Sequence, residues 1–388
     1  MKSKLVRITT IPISLEKLLE NQLRFMDQYF EVIAVSSDRK GLEKVGSKEG
    51  VRTFCVELTR KITPLADLRA LVQLYRFLKK EKPLIVHTHT PKAGTIGMIA
   101  AKLAGIKHRF HTVAGLPLLE ARGVKRLLLD LVEKITYACA SAVYPNSLGL
   151  KEIILEKKLS TDKVLKVIGD GSSNGIDTEL FNRCPDLDEQ AKVLKGLLGL
   201  SEMDFVFVFI GRLVRDKGIE ELVRAFAKLS NTNPNAKLLL VGSEERDLDP
   251  LSQECLNEIS SNRSILTVGY QSDVRPYLSL SKALVFPSYR EGFPNVPMQA
   301  GCFDLPSIVT DINGCNEIVI NNINGIVIQV KNSDAIYAAM EKLLLNENFY
   351  QLMASKARNM IVDRYEQTRL WSLLLKEYDE QLKSCHVL

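Results

Sequence analysis

Arg212 and Lys217 stand in Gly211-Arg212-Leu-Val-Arg215-Asp-Lys217-Gly218, a basic stretch with a glycine at each end that follows the apolar run Phe205 to Ile210. Apolar residues then recur at helical spacing, Ile219, Leu222, Val223, Phe226 and Leu229, with Glu220 and Glu221 in the first turn, where acidic groups are favoured. Strand, loop and helix thus form one unit, and the amides that open such a helix have no intrahelical acceptor. Amides and two side-chain cations around one opening suit a diphosphate. If a nucleoside diphosphate leaves during a transfer, the same cations stabilise the charge growing on it. The alternative is a set of solvated loop charges. No Gly-Lys-Ser/Thr follows, so the stretch is not a P-loop.

A second constellation, Ser288-Tyr-Arg-Glu291-Gly292-Phe293-Pro-Asn295-Val296-Pro-Met-Gln299-Ala-Gly301, follows the run Ala283 to Pro287. Gly292 permits close backbone approach to a ligand. Pro297 is tolerated in the first turn of a helix, which puts Gln299 about one turn inside it and Glu291 in the preceding loop. A carboxylate there accepts hydrogen bonds from sugar hydroxyls, and the helix start behind it presents free N–H groups to phosphate. Farther upstream, His87 and His89 alternate at the end of a strand and share a face. No third ligand accompanies them at convincing spacing, so we expect no metal site, and hydrogen bonding to phosphate is the role that fits His89 and Lys92. His111 is a weaker candidate for the same region. Asp247 and Asp249 spell Asp-x-Asp but lie among alternating charges, and we expect them to be solvated.

These residues sit just after apolar runs, and those runs define the elements. In the first half the expected strands are Leu5 to Thr10, Glu31 to Ser36, Arg52 to Glu57, Leu84 to Thr88, Arg109 to Val113, Ala142 to Pro145 and Val164 to Ile168. A second series runs Phe205 to Ile210, Ala236 to Val241, Ile265 to Val268, Ala283 to Pro287, Ser307 to Thr310 and Gly325 to Ile328. Helical patterns alternate with them, as in parallel βαβ units, and 388 residues exceed what one core usually holds. The expected architecture is α/β with two doubly wound domains facing a central cleft: residues 1–180, and residues 200–367. Residues 186–201 read as a polar helical linker, and a C-terminal helix at about 368–388 packs back on the first domain. In such sheets ligands bind beyond the carboxyl ends of the strands, where both constellations lie.

Through Gly211-Arg212 with Lys217, and Glu291-Gly292 extended to Gln299-Ala300, the chain resembles the retaining family-4 glycosyltransferases of the GT-B fold over nearly its whole length. His87-Thr-His-Thr-Pro-Lys-Ala-Gly94, His111-Thr-Val-Ala-Gly-Leu-Pro117 and Asn174-Gly-Ile-Asp177 make it most similar to bacterial enzymes that extend polyprenyl-diphosphate-linked sugars. The resemblance implies that Arg212 and Lys217 hold the donor diphosphate and that Glu291 contacts the donor sugar. It further implies that Gly292, Phe293, Asn295 and Val296 supply contacts beside it, that Gly211 belongs to the donor loop, and that Tyr270 lies beside the nucleobase. Gln299 replaces the second glutamate of the family's Glu-x7-Glu signature, retaining a hydrogen-bonding amide but losing the charge. Ala114 stands where many relatives carry a histidine. The implied reaction needs no cofactor beyond a nucleotide sugar, which the resemblance implies is UDP-linked, and no protein general base.

Composition is that of a globular protein, 46% hydrophobic and 25% charged. Charge is uneven: residues 1–180 hold 30 Lys+Arg against 19 Asp+Glu within a net charge of +6 for the whole chain. Such a half suits anionic partners, a lipid surface or a phosphate-bearing acceptor, whereas an aromatic share of 7% and the lack of a recognised module argue against nucleic acid. Seven scattered cysteines without a Cys-x-x-Cys pair read as reduced thiols of a cytoplasmic protein. The first residues do not read as a signal peptide, and no apolar run has spanning length, so membrane contact would be peripheral. Leu116 to Leu129, with Arg122, Lys125 and Arg126, is the segment expected to lie on an anionic bilayer. A nucleotide-sugar 2-epimerase of the same architecture and an inactive glycan-binding protein are the alternative functions.

Overall fold

The computed structural model describes residues 2–59, 63–119, 121–245, 247 and 249–384. The chain divides into two compact units, Met1–Gly175 with Gln367–Leu388, and Ile176–Glu366. The first unit holds β1 (Lys4–Ile8), β2 (Glu31–Ser36), β3 (Arg52–Cys55), β4 (Ile85–His89), β5 (His108–Val113) and β6 (Ala142–Pro145). The second holds β7 (Phe205–Ile210), β8 (Ala236–Val241), β9 (Ile265–Thr267), β10 (Ala283–Phe286), β11 (Ser307–Thr310) and β12 (Gly325–Ile328). Each set forms one parallel sheet, ordered β3-β2-β1-β4-β5-β6 and β12-β11-β10-β7-β8-β9.

Both orders are the same doubly wound pattern, in which the chain starts at the centre, winds to one edge, returns and winds to the other. The reversal falls between β1 and β4 in one unit and between β7 and β10 in the other. Loops leaving those two central strands diverge above the sheet and open the crevice where ligands bind in this architecture. Continuous apolar sequence follows from burial on both faces: Val206 through Phe209 and Leu238 through Leu240 are almost wholly covered. Over the second sheet the helix Ile219–Thr232 buries Ile219, Leu222, Val223, Phe226 and Leu229, each worth about 1.5–3 kcal/mol of transfer free energy.

Two expectations change. Val164 to Ile168 is not a strand: Leu165 alone bridges Val143, and Lys166 N–H donates to the Val143 carbonyl at 3.0 Å. Gly169 and Gly171, at φ 56° and 102°, then turn the chain off the sheet edge. The segment read as a linker forms the helix Pro185–Leu197 and belongs to the second unit, because Leu187 and Ala191 are buried; Leu187 joins that unit's core. The last helix spans Gln367–Ser384 and is part of the first unit, where Tyr378 stacks on Phe110 at 5.4 Å and Trp371 packs against Phe25 at the same spacing. Residues 385–388, which the expected helix included, lie outside the described residues.

Candidate functional site

In the second unit the loops after β7 and β10 meet at the reversal point. Gly218 makes this meeting close: at φ 71°, a Cβ on it would stand 2.2 Å from the Pro287 carbonyl oxygen, so only glycine lets the two loop backbones touch. Tyr289 N–H donates to the Asp216 carbonyl at 2.8 Å, the Tyr289 hydroxyl donates to Glu221 at 2.6 Å, and Arg290 reaches the Asp216 carboxylate at 3.2 Å. On this base Lys217 Nζ donates to Glu291 Oε1 at 2.5 Å, with both side chains about 15% exposed. The constellations singled out in sequence therefore join through a largely covered ion pair.

Arg212 takes another course. It pairs with Glu245, beyond β8, at 2.9 Å and is half exposed. Gly211, at φ 153°, packs against the Phe209 ring, and its carbonyl lies so near Gly242 that a Cβ there would come within 1.7 Å of it. Asp249, expected to be solvated, instead accepts from Asp216 N–H at 2.7 Å and ties the segment after β8 to the β7 loop; Asp247 is exposed as expected. Tyr270 stands beyond β9 with 76% of its surface open, an aromatic face available to a planar ring.

Behind Glu291, the helix Asn295–Gly301 starts from Pro294 without a side-chain cap, so its first amides have no such acceptor. Gln299 is its fifth residue, and its amide makes no hydrogen bond among the described residues. Asn295 is exposed, Gly292 and Val296 are partly covered, and Phe293 packs edge-on against Tyr365 at 5.4 Å. The loop after β11 closes over this segment. Asn313 Nδ2 donates to the Gly292 carbonyl at 2.7 Å, and a Cβ on Gly314 would fall 2.5 Å from the same oxygen. Asn313-Gly314 escaped the sequence analysis, although its position after a strand was a usable signal. Cys315 lies buried beside the pair, and burial holds its thiol well above the usual value, with Glu291 adding to the effect.

In the first unit the loops after β1 and β4 also meet: Thr10 N–H donates to Thr90 Oγ1 at 3.1 Å, and Thr90 takes φ 80°, uncommon for a β-branched residue. His87 and His89 do share a face, their rings stacked 4.3 Å apart. His87 is fully buried between the Tyr378 hydroxyl at 2.5 Å and Thr112 Oγ1 at 2.8 Å, whereas neither nitrogen of buried His89 has a partner among the described residues. Burial holds both imidazoles neutral, well below the usual value. His111 is buried against Thr88 Oγ1 at 2.8 Å, and burial pushes it down to about 4. Lys92 grips both oxygens of Asp67 at 2.7 and 2.9 Å, a pairing that spacing along the chain does not signal. Among the described residues no three His, Cys, Asp or Glu side chains gather as metal donors.

The segment expected on a bilayer is split by the fold. Leu116 and Leu118 are core residues, Glu120 lies outside the described residues, and Arg126 is engaged with Asp130 and the Leu118 carbonyl. The helix Gly123–Cys139 nevertheless leaves Val124, Leu127, Leu128, Leu131 and Ile135 exposed along one stripe. No helix among the described residues is long and apolar enough to cross a membrane.

Known proteins match this arrangement along most of the chain. Residues 193–360 match the model "Glycosyl transferases group 1", and residues 25–167 the model "Glycosyl transferase 4-like domain". The capsular polysaccharide biosynthesis glycosyltransferase CapM of Staphylococcus aureus is 31% identical over 381 residues, 98% of either chain. An Escherichia coli UDP-Gal:alpha-D-GlcNAc-diphosphoundecaprenol alpha-1,3-galactosyltransferase is 29% identical, covering 94% of this chain and 95% of its own. Anabaena HepE, crystallised with UDP, superposes with a TM-score of 0.82 at 17% identity, over 98% of this chain and all of its own. By these matches, with the two doubly wound sheets beneath them, the chain belongs to the family-4 glycosyltransferases of the GT-B fold, of the type that builds bacterial polysaccharides.

Proposed function

We propose that this glycosyltransferase moves a sugar from a UDP-linked donor to a polyprenyl-diphosphate-linked glycan, with retention of anomeric configuration and without a metal. The observation that carries the proposal is the Lys217–Glu291 pair at the reversal point of the second sheet. In the free protein the two charges satisfy one another. A donor diphosphate offers Lys217 a stronger anionic partner, and the exchange releases the Glu291 carboxylate to accept hydrogen bonds from the sugar hydroxyls. Arg212 would leave Glu245 for the same diphosphate, the uncapped amides from Asn295 onward would add fixed partial charge, and Gln299 would bond the ribose. The exposed Tyr270 ring would stack on the base.

Bond breaking then follows the charge. The bond between the anomeric carbon and the diphosphate oxygen breaks as Lys217 and Arg212 take up negative charge on the leaving group. The acceptor hydroxyl attacks from the same face, and its proton passes to the departing phosphate oxygen, so no side chain needs to act as base. His89, Lys92 and His111 are assigned to the acceptor side, where the basic first unit suits a lipid diphosphate. The exposed apolar stripe of Gly123–Cys139, flanked by Arg122 and Lys125, would rest on an anionic cytoplasmic membrane face. The activities of the relatives favour transfer over epimerisation and over inactivity. A direct test incubates the protein and EDTA with UDP-galactose, UDP-glucose or UDP-N-acetylglucosamine and a synthetic prenyl-diphosphate-linked sugar. An α-linked disaccharide from at least one donor is expected; transfer that requires added metal, or a β-linked product, would overturn the mechanism.

A further inference from the structure

Seven buried side-chain polar atoms lack a partner among the described residues, and four belong to three residues lining one cavity of the first unit: His89 Nδ1 and Nε2, Asn146 Oδ1 and Ser173 Oγ. Unpaired buried polar groups are few in folded proteins, and each is costly, so this concentration calls for an occupant. The cavity measures about 20 Å³, against the roughly 10–15 Å³ that a single water requires. It lies at the carboxyl ends of β4, β5 and β6, and Thr112 and Gln22 also line it.

A buried cation bonds one of its lining residues, Gln22. Arg7, on β1, is fully buried, and its partners are the Tyr378 hydroxyl at 3.0 Å and Gln22 Oε1, both neutral. Three carboxylates of the unit are buried and none bonds Arg7: Glu377 pairs with Lys166 and accepts from Tyr144, Glu49 accepts from the N–H groups of Asn21 and Arg24, and Glu133, on the helix Gly123–Cys139, lies outside the cavity lining. A buried cation without a counter-charge is unfavourable.

Hydrogen-bond direction carries that charge toward the cavity. A guanidinium only donates, so Tyr378 accepts from Arg7 and keeps its own proton, which it gives to His87 Nδ1 in the tautomer protonated at Nε2. His87 then carries its proton on Nε2 and donates to Thr112 Oγ1, which leaves the threonine hydroxyl proton for the cavity. Gln22 likewise accepts from Arg7 and donates onward through Nε2 to the Ser173 carbonyl and to Asn174 Oδ1. Partnerless His89 and the Ser173 hydroxyl can both place a proton inward. Asn146 Oδ1 is the opposing acceptor, and a half-turn of its amide presents Nδ2 instead. No carboxylate lines the cavity.

We propose that the cavity is a site for one small monatomic anion of the halide class, held by Thr112, His89 and Ser173 and balancing Arg7. The ion fastens the Ser172–Asn174 segment, which already bonds Asn146 and Trp371, to the sheet. Thermal unfolding of the full chain, read through the sole tryptophan, Trp371, tests this in sodium chloride and sodium bromide at an ionic strength held constant with sodium gluconate. A saturable rise of roughly 3 °C or more in either halide is expected, since a ligand of the folded state stabilises it by mass action. Ser173→Ala, a mild change, and His89→Leu should each reduce the halide response. Crystals soaked in bromide should show its anomalous signal within hydrogen-bonding distance of Thr112. Equal unfolding temperatures in halide and gluconate would overturn the proposal, as would an ordered water in place of bromide. Displacement of bromide by inorganic diphosphate would also overturn it, by assigning the cavity to a larger oxyanion.

Discussion

Mild acid should loosen the first unit before the second, and His111 gives the effect a size. Its ring is 2% exposed and wedged beneath the helix Pro91–Leu103, where a Cβ on Gly94 would lie 2.4 Å from Cε1. Burial lowers it from 6.5 to about 4. A histidine held neutral in the fold lets the unfolded chain bind a proton first, so its contribution is intact above pH 6.5 and is lost as pH falls toward 4. Between pH 7.5 and 5 the loss comes to about 2 kcal/mol for this residue, at about 1.4 kcal/mol per unit. His87 and His89 are displaced in the same direction and add to it. For a unit of this size, 2 kcal/mol corresponds to about 4–8 °C in midpoint. Trp371 lies in the last helix of this unit and donates to Asn174 at 2.8 Å, so its fluorescence reports on this unit alone. His111→Phe keeps a ring in place, and Thr88 retains its bond to the Phe110 carbonyl at 3.4 Å. Its midpoint should fall less than that of the parent between pH 7.5 and 5, by about 4–8 °C. Parallel pH profiles for the two proteins would refute the reasoning, whatever their absolute stabilities.

Three further outcomes are expected. Gly242→Ala should cost about 3 kcal/mol or more in urea unfolding followed by circular dichroism, because its Cβ would stand 1.7 Å from the Gly211 carbonyl at φ 152°; a loss under about 1 kcal/mol would contradict the close approach of the two loops. Leu127→Glu with Leu131→Glu alters side chains 69% and 54% exposed, so it should leave the fold intact and reduce sedimentation with anionic vesicles several-fold; unchanged sedimentation would remove the bilayer role of the Gly123–Cys139 stripe. Tyr270→Ala should weaken UDP binding by roughly 5- to 150-fold, the range of about 1–3 kcal/mol for one base on one aromatic ring, and equal affinity would detach this residue from the nucleobase.

Twelve of the thirteen expected strands are present, because burial on both faces makes a parallel strand one unbroken apolar run. Val164 to Ile168 has the same composition and is no strand: the glycines that divert it act through backbone angle, which apolar pattern does not register. That Lys217 and Glu291 meet was legible because each follows a strand and the fold brings those two strands side by side; that they pair was not. Arg212 was half legible: its place in the loop after β7 was plain, but the turn toward Glu245 depends on a segment after β8 that carries no distinguishing residue type. Arg7 shows the limit most clearly. Within Leu5-Val6-Arg7-Ile8 it reads as one polar residue in a strand, and its burial becomes intelligible only through Tyr378, 371 residues away. Asp249 looked like one charge among many, and only its bond to Asp216 N–H marks it as structural.

Calorimetric titration of UDP into the parent protein and into Lys217→Met tests the central claim, that the cation paired with Glu291 is the one that receives the diphosphate. Loss of a charge-assisted hydrogen bond of about 1.5–3 kcal/mol predicts affinity lower by roughly 10- to 150-fold in the variant. Glu291→Gln, which frees the lysine from its carboxylate, should bind UDP at least as tightly as the parent. Equal affinity of the parent and Lys217→Met would contradict the account, since the diphosphate would then lie somewhere other than the meeting of the β7 and β10 loops.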